Sequence, residues 1–165
     1  KSKDNAFELE MDITPNITGI TGIELYNAKG ENVKIYFDTK EKKLVMDRTE
    51  SGLIEFGNLS VPHDIEKNYS DVHQGAGNTP FRVFNSVNYK NDFALGTWAP
   101  LSLCKGKTYH VDIFVDKCSV EIFVDGGRIA MTNLVFPTTP YTSIKFYNKG
   151  TSASFHNIKI SELSL

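Results

Sequence analysis

The sequence predicts an all-β chain, folded as an antiparallel sandwich or barrel. Three observations carry this reading. Apolar and polar residues alternate with period two along most of the chain. No apolar stripe of helical period runs for a useful length. Turn signals separate the alternating runs at short intervals, as in sandwiches and barrels. The 165 residues suit a single domain, 1–165. A chain of this length buries roughly 70% of its unfolded surface, enough for a core without disulfide staples.

The elements follow in order. Phe7, Leu9, Met11 and Ile13 alternate with Glu8, Glu10 and Asp12, whose acidic side suggests an edge strand. Ile23 and Leu25-Tyr26 lead into a turn at Asn27-Ala28-Lys29-Gly30. Val33, Ile35 and Phe37 alternate with Lys34, Tyr36 and Asp38, and a charged turn (Thr39 to Lys43) precedes Leu44-Val45-Met46. The stretch 57–79 is polar, holds Pro62, Gly75 and Gly77, and reads as a long loop or insertion, a length that often carries function. Phe81 to Phe84 is a further apolar stretch, and Ser143–Tyr147 and Ala153–Ile160 close the chain.

Residues 109–134 give the fullest local prediction. With Lys117-Cys118 as a two-residue turn, Val115 faces Val120, Ile113 faces Ile122 and Val111 faces Val124. All six then share one face, so the register explains itself. A second turn, Asp125-Gly-Gly-Arg128, uses glycines where positive φ costs little, and pairs Val124 with Ile129 and Ile122 with Met131. The predicted meander has one apolar face. The other carries His110, Asp112, Phe114, Glu121, Phe123 and Thr132.

Composition narrows the function classes. Lys+Arg is 18 against Asp+Glu 20, a net charge of -2, which argues against the basic face of a duplex nucleic-acid binder. Apolar runs such as Ile113-Phe114-Val115 are far too short for a membrane-spanning helix. The chain begins at Lys1 with no positive-then-apolar leader, so a processed product or a piece of a longer chain is expected. Cys104 and Cys118 flank a strand (Thr108 to Asp116) of roughly 25 Å, which four intervening residues at one end cannot retrace. Two separate thiols are expected. Asn16, Asn58 and Asn68 each begin an Asn-x-Ser/Thr acceptor pattern.

Catalytic signatures are sparse. In the meander Asp112 and Glu121 become diagonal neighbours, roughly 7–8 Å apart at the backbone, a pair to weigh for acid/base work. Phe114 and Phe123 lie between them, and a solvated strand face is the simpler reading. Glu8, Glu10 and Asp12 read as a solvated face too. His63, His73, His110 and His156 are dispersed with no metal-ligand spacing, and Asp64, Glu66 and Asp71 lack the Asp-x-Asp-x-Asp-Gly run of a calcium loop. No Gly-x-Ser-x-Gly elbow or credible Cys/His pair is present, and Gly75-Ala-Gly77 lacks the following lysine of a phosphate loop. No cofactor or metal is expected. Binding chemistry is better represented. Trp98, the single tryptophan, could stack on a sugar face or anchor the core. Asp47-Arg48 offers an acceptor beside a planar fork of donors, suited to a polyhydroxylated ligand or to an internal salt bridge steadying the turn at 49–52.

At these residues a family resemblance emerges. Val115-Asp-Lys-Cys-Ser-Val-Glu-Ile-Phe-Val-Asp125, followed by Met131-Thr132 and Val135-Phe-Pro137, resembles the C-terminal β-sandwich module of glycoside hydrolase family 32. That family comprises levanases, inulinases, invertases and related fructan-cleaving enzymes. Leu44-Val-Met-Asp-Arg-Thr-Glu-Ser-Gly52 is similar to the module's Asp-Arg-Thr/Ser…Ser-Gly stretch, and Ala99-Pro-Leu101 fits as well. The resemblance runs from about Phe7 to Ile160 and departs from compact family members between Gly57 and Asn91. It implies a two-sheet antiparallel jelly-roll, a concanavalin-like sandwich. It also implies a parent that hydrolyses fructans or sucrose by retaining double displacement. In that chemistry an Asp nucleophile and a Glu acid/base lie on a preceding five-bladed propeller. The propeller's Asn-Asp-Pro-Asn-Gly, Arg-Asp-Pro and Glu-Cys motifs are absent here, and Asn91-Asp92 is followed by Phe93. No catalytic residue carries over. The role the resemblance implies is a non-catalytic accessory domain that packs on the propeller, in an extracellular or periplasmic protein. The second reading is a fructan-binding module with Asp47, Arg48, Trp98 and Glu121 as sugar contacts; the third is an interaction sandwich with no sugar role.

Overall fold

The computed structural model describes residues 6–54 and 93–163. The readings for 57–79 and Phe81–Phe84 lie outside the described residues. So do those for Asn58, Asn68, His63, His73, Asp64, Glu66, Asp71 and Gly75–Gly77.

Ten strands are described: β1 (Phe7–Thr14), β2 (Ile20–Tyr26), β3 (Asn32–Asp38), β4 (Lys43–Glu50), β5 (Gly96–Pro100), β6 (Tyr109–Val115), β7 (Ser119–Val124), β8 (Ile129–Leu134), β9 (Ser143–Lys149) and β10 (Ser154–Glu162). They form two antiparallel five-stranded sheets, ordered β10-β1-β6-β7-β8 and β5-β4-β3-β2-β9. The expected two-sheet sandwich is therefore present. The sheets stack strand over strand. Phe37 of β3 meets Tyr109 of β6 with ring centroids 5.4 Å apart, and Phe146 of β9 meets Phe155 of β10 at 5.1 Å. At the opposite end Asn133 of β8 donates to the Thr97 hydroxyl of β5 at 2.7 Å.

Alternation builds the core. Leu9, Met11 and Ile13 from β1, Val33, Ile35 and Phe37 from β3, and Val111, Ile113 and Val115 from β6 all point between the sheets and are buried. The meander has the predicted register, with Val115↔Val120, Ile113↔Ile122 and Val111↔Val124, then Val124↔Ile129 and Ile122↔Met131. Gly126 and Gly127 take positive φ as predicted, and Asp125 joins them at φ 49°.

Two expectations are corrected. β1 is interior, between β10 and β6. Its acidic side is matched by charges on those neighbours: Lys159 Nζ lies 2.9 Å from Glu10, and His110 Nδ1 lies 2.8 Å from Asp12. Trp98 is no core anchor. It points outward from β5, the last strand of its sheet, and is 60% exposed.

Candidate functional site

The Asp47-Arg48 pair sits near the end of β4, and strand geometry separates its two side chains. Successive residues of a strand face opposite sides. Leu44 and Met46 point into the core and Arg48 continues that side; Val45 and Asp47 point outward. Asp47 Oδ1 accepts from the Thr49 backbone N–H at 2.9 Å and from the Thr49 hydroxyl at 2.7 Å, where the β3–β4 pairing shifts register. Arg48 Nη1 donates to the Leu134 carbonyl of the other sheet at 2.8 Å, and its guanidinium lies 4.2 Å from the Phe93 ring centroid. Burial lowers the Arg48 pKa from its ordinary value. The expected internal salt bridge is thus replaced by a carbonyl and an aromatic ring, and the two residues do not act as one fork.

The rest of the motif extends this junction. Gly52 has φ 133°, and a Cβ there would lie 2.4 Å from the Phe136 carbonyl oxygen. The Leu53 N–H donates to that same oxygen at 2.8 Å. Tyr141 donates its hydroxyl to the Ser51 carbonyl at 2.5 Å. Burial first, then the negative charge of Glu31, raises the Tyr141 pKa far above ordinary, so it stays a donor. The segment 47–53 is therefore a clamp between the end of β4 and the β8–β9 connection.

Trp98 and Asp47 share the outward face of the second sheet. The register Tyr147↔Gly22↔Tyr36↔Val45↔Trp98 lays one row across all five strands. Gly22 has no side chain, and a Cβ there would lie 2.5 Å from that of Tyr36. The Tyr36 and Tyr147 rings approach over this gap, with centroids 6.5 Å apart. Burial is the first cause raising both tyrosine pKa values. Lys43 Nζ lies 5.3 Å from the Trp98 ring centroid. The adjacent row holds Lys145, Glu24, Lys34, Asp47 and Gly96.

Glu121 is elsewhere. It faces outward from the first sheet, where the Thr132 hydroxyl bonds it at 3.3 Å. Glu121 and Trp98 therefore occupy opposite faces of the sandwich, and the four expected sugar contacts are not brought together. Asp112 shares the Glu121 face, with the T-shaped Phe114–Phe123 pair between them.

Other readings resolve locally. Cys104 and Cys118 are free and exposed. Asn16 is buried, and its amide is engaged by the Ile20 carbonyl at 3.1 Å and by Asn148, which leaves no room for a glycan. The β1–β6 register also gathers a cluster that local sequence spacing hides. Ligand-type atoms of Glu10, His110 and Asp112 lie within 4.8 Å of one another. His110 is held between Asp12 at 2.8 Å and Asp112 at 3.1 Å. The hydrogen bond to Asp12 raises the His110 pKa, against burial, with Asp112 adding to it. Hydrogen bonds from Asn157 and then His110 lower that of Asp12. With both His110 ring nitrogens engaged by carboxylates and Lys159 paired with Glu10, the cluster is a hydrogen-bonded and ion-paired surface network.

The sequence model described as Glycosyl hydrolases family 32 C terminal matches residues 1–162. The chain belongs to that family of C-terminal domains. The domain is 35% identical over 95 residues to the levanbiose-producing levanase of Bacillus subtilis (strain 168), covering 58% of this chain and 17% of that protein. It is 29% identical over 139 residues to the sucrose-6-phosphate hydrolase of Staphylococcus xylosus, covering 84% of this chain and 21% of that protein. Among solved structures, the exo-inulinase of Aspergillus awamori aligns with TM-score 0.61 at 19% identity, over 98% of this chain and 26% of its own. The fructosyltransferase of A. japonicus aligns with TM-score 0.64 at 16% identity, over 98% and 23%. These structures establish the sandwich fold of the domain. The chain spans 14–21% of the length of the curated relatives it matches.

Proposed function

We propose that this family 32 C-terminal domain is the non-catalytic accessory module of a retaining glycoside hydrolase active on levan, inulin or sucrose, supporting an N-terminal propeller that carries the chemistry. The family match over residues 1–162 carries the reading. The chemistry of the described residues supports it. Retaining glycosidases need two unencumbered carboxylates about 5–5.5 Å apart across a sugar. Here Asp112 is committed to His110, and aromatic rings separate it from Glu121. The motif 44–52 is occupied in joining the two sheets. Relatives described as levanases and sucrose-6-phosphate hydrolase suggest fructosyl substrates for the parent. A parent acting on polymeric levan works outside the cytoplasm or in the periplasm, because the polymer does not cross the membrane. The test is the coding sequence upstream of Lys1. A propeller with Asn-Asp-Pro-Asn-Gly and Glu-Cys motifs supports the reading; an unrelated domain overturns it.

One observation favours sugar binding as a second activity. Trp98 is the most exposed large apolar side chain described, and it continues the Tyr147–Tyr36–Val45 row beside Asp47 and Lys43. An open indole flanked by acceptors and donors suits stacking on a furanose ring. Retarded migration in a levan gel, abolished by Trp98→Ala with an unchanged melting temperature, supports this. Equal migration with and without levan contradicts it.

A further inference from the structure

The outward face of the first sheet carries more acid than base. Its strands place Glu8, Glu10 and Asp12 of β1, Asp112 of β6 and Glu121 of β7 on that side. Lys159 is the one lysine or arginine on the described strands of that sheet. Three of these carboxylates gather around one imidazole. His110 Nδ1 lies 2.8 Å from Asp12, and Nε2 lies 3.1 Å from Asp112. Glu10 stands directly opposite Asp112 in the β1–β6 register. One ligand atom from each of Glu10, His110 and Asp112 then falls within 4.8 Å of the other two.

The histidine sets this cluster apart from a patch of acids. A metal-ligating histidine is characteristically oriented by a carboxylate on its other ring nitrogen. Asp12 takes that position on Nδ1, and the Asn157 amide of β10 holds Asp12 in turn at 2.7 Å. Nε2 is thereby aimed at Asp112 and Glu10. Two zinc ligands with bonds of about 2.0–2.1 Å at a tetrahedral angle end roughly 3.3 Å apart. The 3.1 Å between Nε2 and Asp112 is close to that spacing. The side chains are partly desolvated and still reachable: Asp112 is 20% exposed, Glu10 29% and His110 49%.

We propose that Glu10, His110 Nε2 and Asp112 form a site for a divalent first-row cation of the zinc class, completed by water. One imidazole nitrogen beside two carboxylates favours zinc over calcium and magnesium, which prefer oxygen alone. To bind it, Nε2 releases any proton to water and Glu10 exchanges its Lys159 contact, 2.9 Å long, for the metal. These two exchanges make the site weaker than a structural zinc centre, and reversible. The cation ties β1 to β6 through side chains, so it stabilises the folded chain. The site stands independently of the accessory-module reading.

Zinc chloride alone is the probe, added to the 165-residue chain after treatment with a chelator. The ring-nitrogen resonances of the four histidines give the direct readout. His110 Nε2 should shift saturably at sub-millimolar zinc while Nδ1 keeps its bond to Asp12. The melting temperature should rise by about 5 °C or more at zinc roughly 100-fold above its dissociation constant. His110→Gln and Asp112→Asn should each abolish that rise, and Glu121→Gln, on the same face outside the cluster, should keep it. The resonances are read on the native chain, so they decide the matter even where a substitution unfolds it. No saturable shift of His110, or a response confined to His63, His73 or His156, overturns the site. An equal response to calcium or magnesium overturns its assignment to the zinc class.

Discussion

Arg48 shows how one side chain can look like a ligand contact and serve as a joint. Its bond to the Leu134 carbonyl crosses from one sheet to the other, and its planar cation covers Phe93. Lysine reproduces neither the fork nor the stacking. Arg48→Lys and Arg48→Ala should each destabilise the domain by about 1–3 kcal/mol, measured by urea unfolding; a smaller loss in both would relieve Arg48 of this role. Gly52→Ala should cost at least as much. The new methyl group would meet the Phe136 carbonyl at 2.4 Å, in a backbone conformation that L-residues avoid. Tyr141→Phe should cost about 1–2 kcal/mol, because it strands the buried Ser51 carbonyl. The sequence disclosed the chemistry of Asp47 and Arg48 but suggested a shared ligand. Once 44–50 is recognised as a strand, neighbouring residues must diverge, and only the fold shows where each one lands.

At the scale of elements, legibility followed alternation. The β6–β7–β8 meander could be read residue by residue, because a one-residue slip would send Val120, Ile122 and Val124 to water. β5 was not legible. Gly96-Thr-Trp-Ala-Pro100 is short, bounded by Gly and Pro, and lacks an apolar alternation, as suits a last strand. The ionic network across β1, β6 and β10 was equally hidden, since register between distant segments creates it. It carries a pH signature. The raised His110 pKa gives stability that is complete below the ordinary histidine value of about 6.5 and is lost as pH rises through the folded value. The lowered Asp12 pKa gives stability present above the ordinary value of about 4 and lost as pH falls through its folded value. The melting-temperature gap between the native chain and His110→Gln should therefore be widest between about pH 4 and 6.5 and narrow toward pH 9. A gap that stays constant across that range contradicts the network.

For the whole molecule, the sandwich followed from period-two patterning, and its family from the motifs at 44–52 and 115–137. The open end of the sandwich did not. β9 and β10 alternate like the covered strands, but as the last strands of their sheets they leave Phe146, Ile158 and Ile160 partly exposed. The motif at 44–52 joins the domain's own sheets, which fits the accessory role proposed for it. The central claim is that the domain serves this role without catalysing. The most direct measurement is fructose release from levan, inulin and sucrose by the purified 165-residue chain beside the full-length enzyme at equal molarity. Release by the full enzyme and none by the chain is the predicted result. Fructose released by the chain above the buffer blank would contradict it.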